Sequence, residues 1–202
     1  MKYLFGQIKQ YMFSINLMSQ QIKNVNKKWV YQFHIGRTVT RFCKDYVNCE
    51  NNKWNSKLQV NMIEVIYRKL PQWKKDLYSL SHRLIYNIDK EWTGELHDFV
   101  VHFSCMDKNS FVYLHEDNDV SSQFILTFGQ YTGGKFKLFD KKSKKFQIVD
   151  TYNKIVQIYG RLKHCVTKVK SCKRYSVIFY KMFDRRYKNK PIFNGIKSYD
   201  LR

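Results

Sequence analysis

Acidic residues are scarce in this chain: 16 Asp and Glu stand against 37 Lys and Arg in 202 residues, a formal net charge of +21. Prolines are scarcer still, with Pro71 and Pro191 the only two. No Gly/Ser-rich or Pro-rich stretch separates one part from another, which excludes a flexible inter-domain linker of either kind. The length favours one domain with a sizeable core, extended by helices. No apolar run approaches the roughly 18 residues that a transmembrane helix needs. The start, MKYLFGQIKQYMF, is interrupted by Gln and Lys and is a poor secretory signal. The expected location is therefore intracellular, nuclear or cytoplasmic, without a membrane partner. Cysteine pairing is missing as well. Cys43, Cys49, Cys105, Cys165 and Cys172 are odd in number and scattered, with no C-x-x-C. That spacing argues against a disulfide framework and a paired-cysteine zinc site, and for reduced thiols.

What is present is basic charge and aromatic residues. Residues 135–202 hold 20 Lys and Arg against 4 acids, Asp140, Asp150, Asp184 and Asp200. A field of this sign attracts polyanions, so nucleic acid is the expected partner; a solvated lysine-rich surface is the bland reading of the same charge. Aromatics make up 17% of the chain, which argues for a packed core and against disorder.

The chain changes character near residue 95. Before it, helical spacing dominates. SKLQVNMIEVIYRKL places Val60, Ile63 and Ile66 on one face, and PQWKKDLYSLSHRLIYNI repeats Trp73, Leu77, Leu80 and Leu84 at intervals of four, three and four. Pro71 suits a helix start. Residues 1 to 50 read as helical in part. After residue 95 come DFVVHF, FVYL, SQFILTF, KFKLF, KFQIV, NKIVQIY, CVTKV and RYSVIFY, short segments rich in Val, Ile, Phe and Tyr. MDKNS, YTGG, DKKSKK and DTYN supply turns between them. Strands this short and regular suggest a sandwich or barrel with a helical layer on one face, and not alternating βαβ units.

One stretch runs against the bulk composition. In YLHEDNDV, Glu116, Asp117 and Asp119 crowd together directly after His115. A tight turn accounts for Asp and Asn there. A divalent cation accounts for the imidazole as well. His115 and Asp117 are two apart at a strand end, so both project to one side and can meet a single ion. His164 follows 47 residues later, at the start of another strand. Two histidines and a carboxylate form a facial triad that leaves three positions open on octahedral Fe(II), the arrangement an oxygenase requires. Ten residues on, Arg174 opens KRYSVIFY with Ser176 on the same side. A guanidinium donates two parallel hydrogen bonds to a carboxylate, and the serine hydroxyl can add a third. His34, His82, His97 and His102 have no partner at ligand spacing and read as ordinary hydrogen-bonded histidines. Arg161 reads as a surface charge, Glu116 and Asp119 as solvent-facing or turn-capping, and Tyr175 and Tyr180 as sheet-face residues.

H-x-D, a distant His and R-x-S on the last long strand follow the order seen in Fe(II)/2-oxoglutarate dioxygenases. Within residues 97–185, the apolar strand ending at Gly129, the YTGG turn with Gly133 and Gly134, G-R-x-x-H before His164, and RYS-x-x-F-Y resemble the Tet/JBP family of nucleic-acid base oxygenases. The resemblance implies an α+β fold: a double-stranded β-helix (jelly-roll) core with N-terminal helices packed on one sheet. It divides the chain into a mainly helical support region (1–94), the oxygenase core (95–185) and a basic C-terminal tail (186–202). It further implies that His115, Asp117 and His164 hold Fe(II), and that Arg174, helped by Ser176, pairs the far carboxylate of the cosubstrate 2-oxoglutarate. O2 is the oxidant. The implied reaction hydroxylates the methyl group of a pyrimidine base, 5-methylcytosine or thymine, in nucleic acid, with DNA ahead of RNA. A protein side chain or small molecule as substrate, and a non-catalytic nucleic-acid binder on a decayed oxygenase fold, are the alternatives. The DKKSKK turn, residues 163–173 and the DRRYKNK tail are the expected phosphate contacts.

Overall fold

Two antiparallel sheets face each other in the computed structural model, which describes residues 1–14, 22–25, 28–36, 70–94, 99–117, 121–141, 143–181 and 195–201. The helices are α1 (Lys2–Ser14), α2 (Gln72–Tyr86) and the short α3 (Lys90–Thr93). The strands are β1 (Ile22–Val25), β2 (Lys28–Gly36), β3 (Val100–Met106), β4 (Val112–His115), β5 (Ser122–Phe128), β6 (Thr132–Gly133), β7 (Phe136–Asp140), β8 (Lys145–Val149), β9 (Lys154–Tyr159), β10 (His164–Val166), β11 (Val169–Ser171), β12 (Arg174–Tyr180) and β13 (Lys197–Asp200). The larger sheet runs β1-β2-β3-β12-β5-β9-β13 and the smaller β4-β10-β7-β8, with β11-β6 as a separate ribbon. The chain passes repeatedly from one sheet to the other, and the result is the double-stranded β-helix expected from the motif order.

Alternation along the strands sorts the core into two layers. Phe124, Leu126 and Phe128 of β5, with Val177 and Phe179 of β12, face the helices. There they meet Leu4, Phe5, Ile8 and Met12 of α1 and Leu77, Tyr78 and Leu84 of α2. Each fully buried ring or branched chain in this layer contributes about 2 kcal/mol relative to exposure. The other face of the large sheet presents Met106, Ile125, Val156 and Ile158 to Phe136, Leu138, Val149 and Val166 of the small one. This inter-sheet layer encloses the candidate site.

Helix α2 starts as its periodicity predicts. Pro71 occupies the N-cap, with φ −54° and ψ 145°, and the buried stripe comprises Leu77, Tyr78, Leu80, Ser81, Leu84 and Ile85. Asp89 caps α3 by accepting from the Trp92 amide at 2.8 Å. His82 stacks on Phe99, as a core histidine would.

Two differences from the sequence expectations concern the ends of the chain. Residues 22–25 and 28–36, within the part read as mainly helical, form β1 and β2; β2 extends the large sheet by pairing with β3, Tyr31 opposite Cys105. Residues 197–200, within the part read as a basic tail, form β13 against β9, Tyr199 opposite Ile155. Both strands complete their backbone hydrogen bonding on an existing sheet edge, a gain that depends on residues far away in sequence. The helix expected around Val60, Ile63 and Ile66, and the DRRYKNK run, lie outside the described residues.

Candidate metal centre

The small sheet brings the two histidines side by side. β4 and β10 are antiparallel neighbours, and His115 lies directly opposite His164 in their register. The ring centroids are 4.3 Å apart. Asp117, two residues past His115, turns its carboxylate between them: Oδ1 is 3.6 Å from His115 Nε2, and Oδ2 is 3.4 Å from His164 Nε2. One ligand atom from each residue lies within 4.8 Å of the others, a spacing suited to a single ion.

Hydrogen bonds at the far ring nitrogens orient both imidazoles. His115 Nδ1 lies 2.8 Å from the Tyr113 carbonyl, and His164 Nδ1 lies 2.7 Å from the Leu162 carbonyl. A carbonyl only accepts, so Nδ1 carries a proton in each ring, and Nε2 is the atom turned toward Asp117. This is the arrangement a metal-ligating histidine takes when its second nitrogen is held by backbone. Burial pulls the His164 pKa below its ordinary value and His115 pushes the same way, against the Leu162 hydrogen bond and the Asp117 charge. The side chain of His164 is 7% exposed, whereas those of His115 and Asp117 are 38% and 36% exposed. His164 therefore forms the floor, and the other two residues form an open side.

Asp117 has a further partner that the motif pattern does not indicate. Gln123 Nε2 donates to Asp117 Oδ2 at 2.7 Å. Gln123 is 2% exposed on β5, on the same strand face as Ile125, and points between the sheets. A glutamine in the otherwise apolar run FILTF and its approach was the available signal, since a buried amide requires a partner.

Arg174 lies on the opposite wall. It starts β12, and its alternate neighbours Ser176 and Ile178 also face the small sheet, while Tyr175, Val177 and Phe179 face the helices. Arg174 is 3% exposed; its Nη1 donates to Ser176 Oγ and approaches Met106 Sδ at 3.6 Å. Its Cζ is 5.9 Å from the Tyr131 ring centroid, and the Tyr131 hydroxyl is 2.9 Å from Thr127 Oγ1. Burial lowers the Arg174 pKa, with Tyr131 opposing. No carboxylate among the described residues pairs with this cation, and its Nε has no hydrogen-bond partner. A buried charge left in that state is costly unless an anion arrives to meet it.

The second glycine of the YTGG turn makes room for the arginine. Gly134 has φ +55°, and a Cβ there would lie 2.8 Å from Arg174 Cδ. The remaining candidates fall on the surface or outside the described chain. Glu116 reaches Lys141 at 3.3 Å and Lys163 at 4.0 Å, and Arg161 is exposed. Asn118 and Asp119 lie outside the described residues.

The donor set fits a divalent first-row metal: two neutral imidazoles and one carboxylate, with ligand-side access. The buried cation fits the distal end of a dicarboxylate. No family model matches the chain, and no curated protein matches it. Among solved structures, the fold is similar to a 2OG-Fe(II) oxygenase family oxidoreductase from Burkholderia pseudomallei, at TM-score 0.53 and 13% identity over 89% of this chain and 79% of that one. A prolyl-4-hydroxylase from Pseudomonas putida matches at TM-score 0.48 and 12% identity over 89% of this chain and 84% of that one. An oxalate oxidase matches at TM-score 0.37 and 11% identity over 46% of each chain. The Burkholderia likeness is one of fold.

Proposed function

We propose that this protein is an Fe(II)- and 2-oxoglutarate-dependent dioxygenase that hydroxylates the methyl group of a pyrimidine base in nucleic acid. The observation that carries the oxygenase reading is Arg174, a buried guanidinium with which no carboxylate among the described residues pairs, on the wall facing a His-Asp-His cluster. A dicarboxylate that also binds metal would answer both features. The base reading is supported by the motif order resembling the Tet/JBP family and by the net charge of +21.

In this reading the Nε2 atoms of His115 and His164 and the Asp117 carboxylate hold Fe(II). The Tyr113 and Leu162 carbonyls and the Gln123 amide keep those three groups aimed. Bound Fe(II), with 2-oxoglutarate and O2, supplies the oxidising chemistry, which couples decarboxylation of the cosubstrate to succinate and CO2 with delivery of one oxygen atom to the substrate. Arg174 and Ser176 receive the far carboxylate of 2-oxoglutarate and fix its distance from the metal ligands. Met106, Phe136 and Val166 line the space between the sheets and exclude water. A base must leave its stack to reach this site, because its methyl carbon, which projects into the major groove, cannot otherwise enter the space between the two sheets.

The test is nucleoside mass spectrometry after incubation with Fe(II), 2-oxoglutarate and ascorbate. DNA and RNA containing 5-methylcytosine and thymine are the substrates, and His115→Ala is the control. A nucleoside one oxygen heavier, formed by wild type alone, is the expected result. Unchanged nucleosides with continued succinate formation would move the substrate to a protein side chain or small molecule. Calorimetry without Fe(II) or 2-oxoglutarate binding would leave a non-catalytic nucleic-acid binder.

A further inference from the structure

The small sheet has a second face, turned away from the site. β8 is its edge strand, paired with β7 in the register Leu138–Gln147, Phe139–Phe146 and Lys137–Ile148. Leu138 packs between the sheets, so Phe139, Phe146, Lys137 and Ile148 project outward. Both long helices cover the large sheet instead. Phe146 is 47% exposed and Ile148 is 54% exposed, which is unusual for a ring and a branched chain on a paired strand. Phe139 and Phe146 meet at 5.3 Å between centroids, and Lys137 Nζ stands 5.7 Å from the Phe146 centroid. Lys144 lies exposed at the turn; Lys145, opposite Asp140 in the register, shares the face of Leu138 and Gln147.

The hairpin that carries this face is near the metal centre, which lies on the other side of the same sheet. His115, His164, Leu138 and Gln147 form one row across the four strands. β8 is thus two strands from His164, about 10 Å at ordinary strand spacing. The hairpin turn opens on the same side, because Lys141, just past β7, pairs with Glu116 between the two ligands of that loop.

We propose that the outer face of the β7–β8 hairpin is a platform for single-stranded nucleic acid, which carries the strand to the mouth of the metal centre. The proposal rests on the nucleic-acid reading above and names the surface that reading lacks. Exposed aromatic rings stack bases whatever their sequence, and neighbouring lysines track the phosphates. Charge selects this occupant over the others. Lys145 at the start of the edge strand, next to Lys144 in the turn, opposes addition of another protein strand. Two exposed apolar side chains are few for insertion into a bilayer.

The experiment is fluorescence anisotropy of the full chain with a labelled short oligothymidylate over a range of salt. Phe146→Ala should weaken binding about tenfold. Lys144→Gln should flatten the slope of log K against log salt by about 0.7, the value for one lost phosphate contact on a single strand. Thermal midpoints of both variants should match wild type, since the changed side chains are exposed. Wild-type affinity and slope in both variants, or no oligonucleotide binding by wild type at low salt, overturns the proposal. So does a loss of binding confined to phosphatidylserine vesicles, which would mark a membrane surface. The base-oxidation assay separates the two readings. Oxidised bases with an indifferent hairpin remove the platform and keep the activity; a hairpin that binds the oligonucleotide without any base product keeps the platform and removes the activity.

Discussion

Gln123 donates to Asp117 across the mouth of the barrel, from a fully enclosed strand to a half-exposed loop, at 2.7 Å. The bond holds the carboxylate oxygen that also lies 3.4 Å from His164 Nε2. Without it, Asp117 would be anchored mainly by its backbone. Gln123→Leu keeps the size and removes the donor. Its affinity for Mn(II), a stand-in for Fe(II), should fall by about 10- to 100-fold, as for other partners of metal ligands. Calorimetry reads this directly, and wild-type affinity in the variant would show that Asp117 needs no such support.

Arg174 should cost the empty protein stability and return it on binding. Arg174→Met replaces an unpaired buried charge by an apolar chain of similar length. Replacing whole buried ion pairs by apolar side chains of similar volume is often neutral or stabilising by up to about 4 kcal/mol, and a single buried charge has no Coulomb partner to lose. The variant should therefore melt higher than wild type without ligand. Saturating 2-oxoglutarate should raise the wild-type midpoint and leave that of the variant unmoved. Equal ligand-induced shifts in the two proteins would remove Arg174 from the cosubstrate site.

Gly134→Ala tests the space beside that arginine. The substitution puts a side chain at φ +55° and a Cβ 2.8 Å from Arg174 Cδ and 3.2 Å from Val169 Cγ2. Left-handed backbone alone costs roughly 1–2 kcal/mol for an L-residue. The expected outcome is a lower melting midpoint and a raised KM for 2-oxoglutarate, with Mn(II) affinity retained. Loss of metal binding in step with 2-oxoglutarate would mean that the two walls do not respond separately.

Cys105 and Tyr175 should make the fold sensitive to alkali. Burial pushes the Cys105 thiol up to about 12 and the Tyr175 hydroxyl up to about 12, with nearby Asp107 adding to both. Both groups are neutral when protonated, and the unfolded chain ionises first, from the ordinary thiol value of 9.0. Their stabilising effect is complete below about pH 9 and is lost as pH rises toward about 12. Thermal midpoints should fall over that window, and Cys105→Ala should lessen the fall. At pH 8, iodoacetamide should modify the exposed Cys172 and spare Cys105, as mass spectrometry of the peptides would report.

The strands of the core were readable because each buried face repeats every second residue, as in Phe124, Leu126 and Phe128. His115 and Asp117 were readable from their spacing of two at a strand end, although β4 stops at His115 and Asp117 reaches the site from the loop that follows. Arg174 and Ser176 obeyed the strand repeat. Local pattern thus determined the kinds of element and the order of the chemistry-bearing residues along them. It did not determine β1, β2 or β13, whose pairing energy comes from edges supplied by β3 and β9. Nor did it place Gln123 against Asp117, Met106 against Arg174 across 68 positions, or Tyr131 over the guanidinium. The register of β4 against β10 sets His115 opposite His164, and that register follows from which side chains fill the space between the sheets. Only the folded chain decides it, because hydrogen-bonded pairing and close packing act between residues that the sequence keeps far apart.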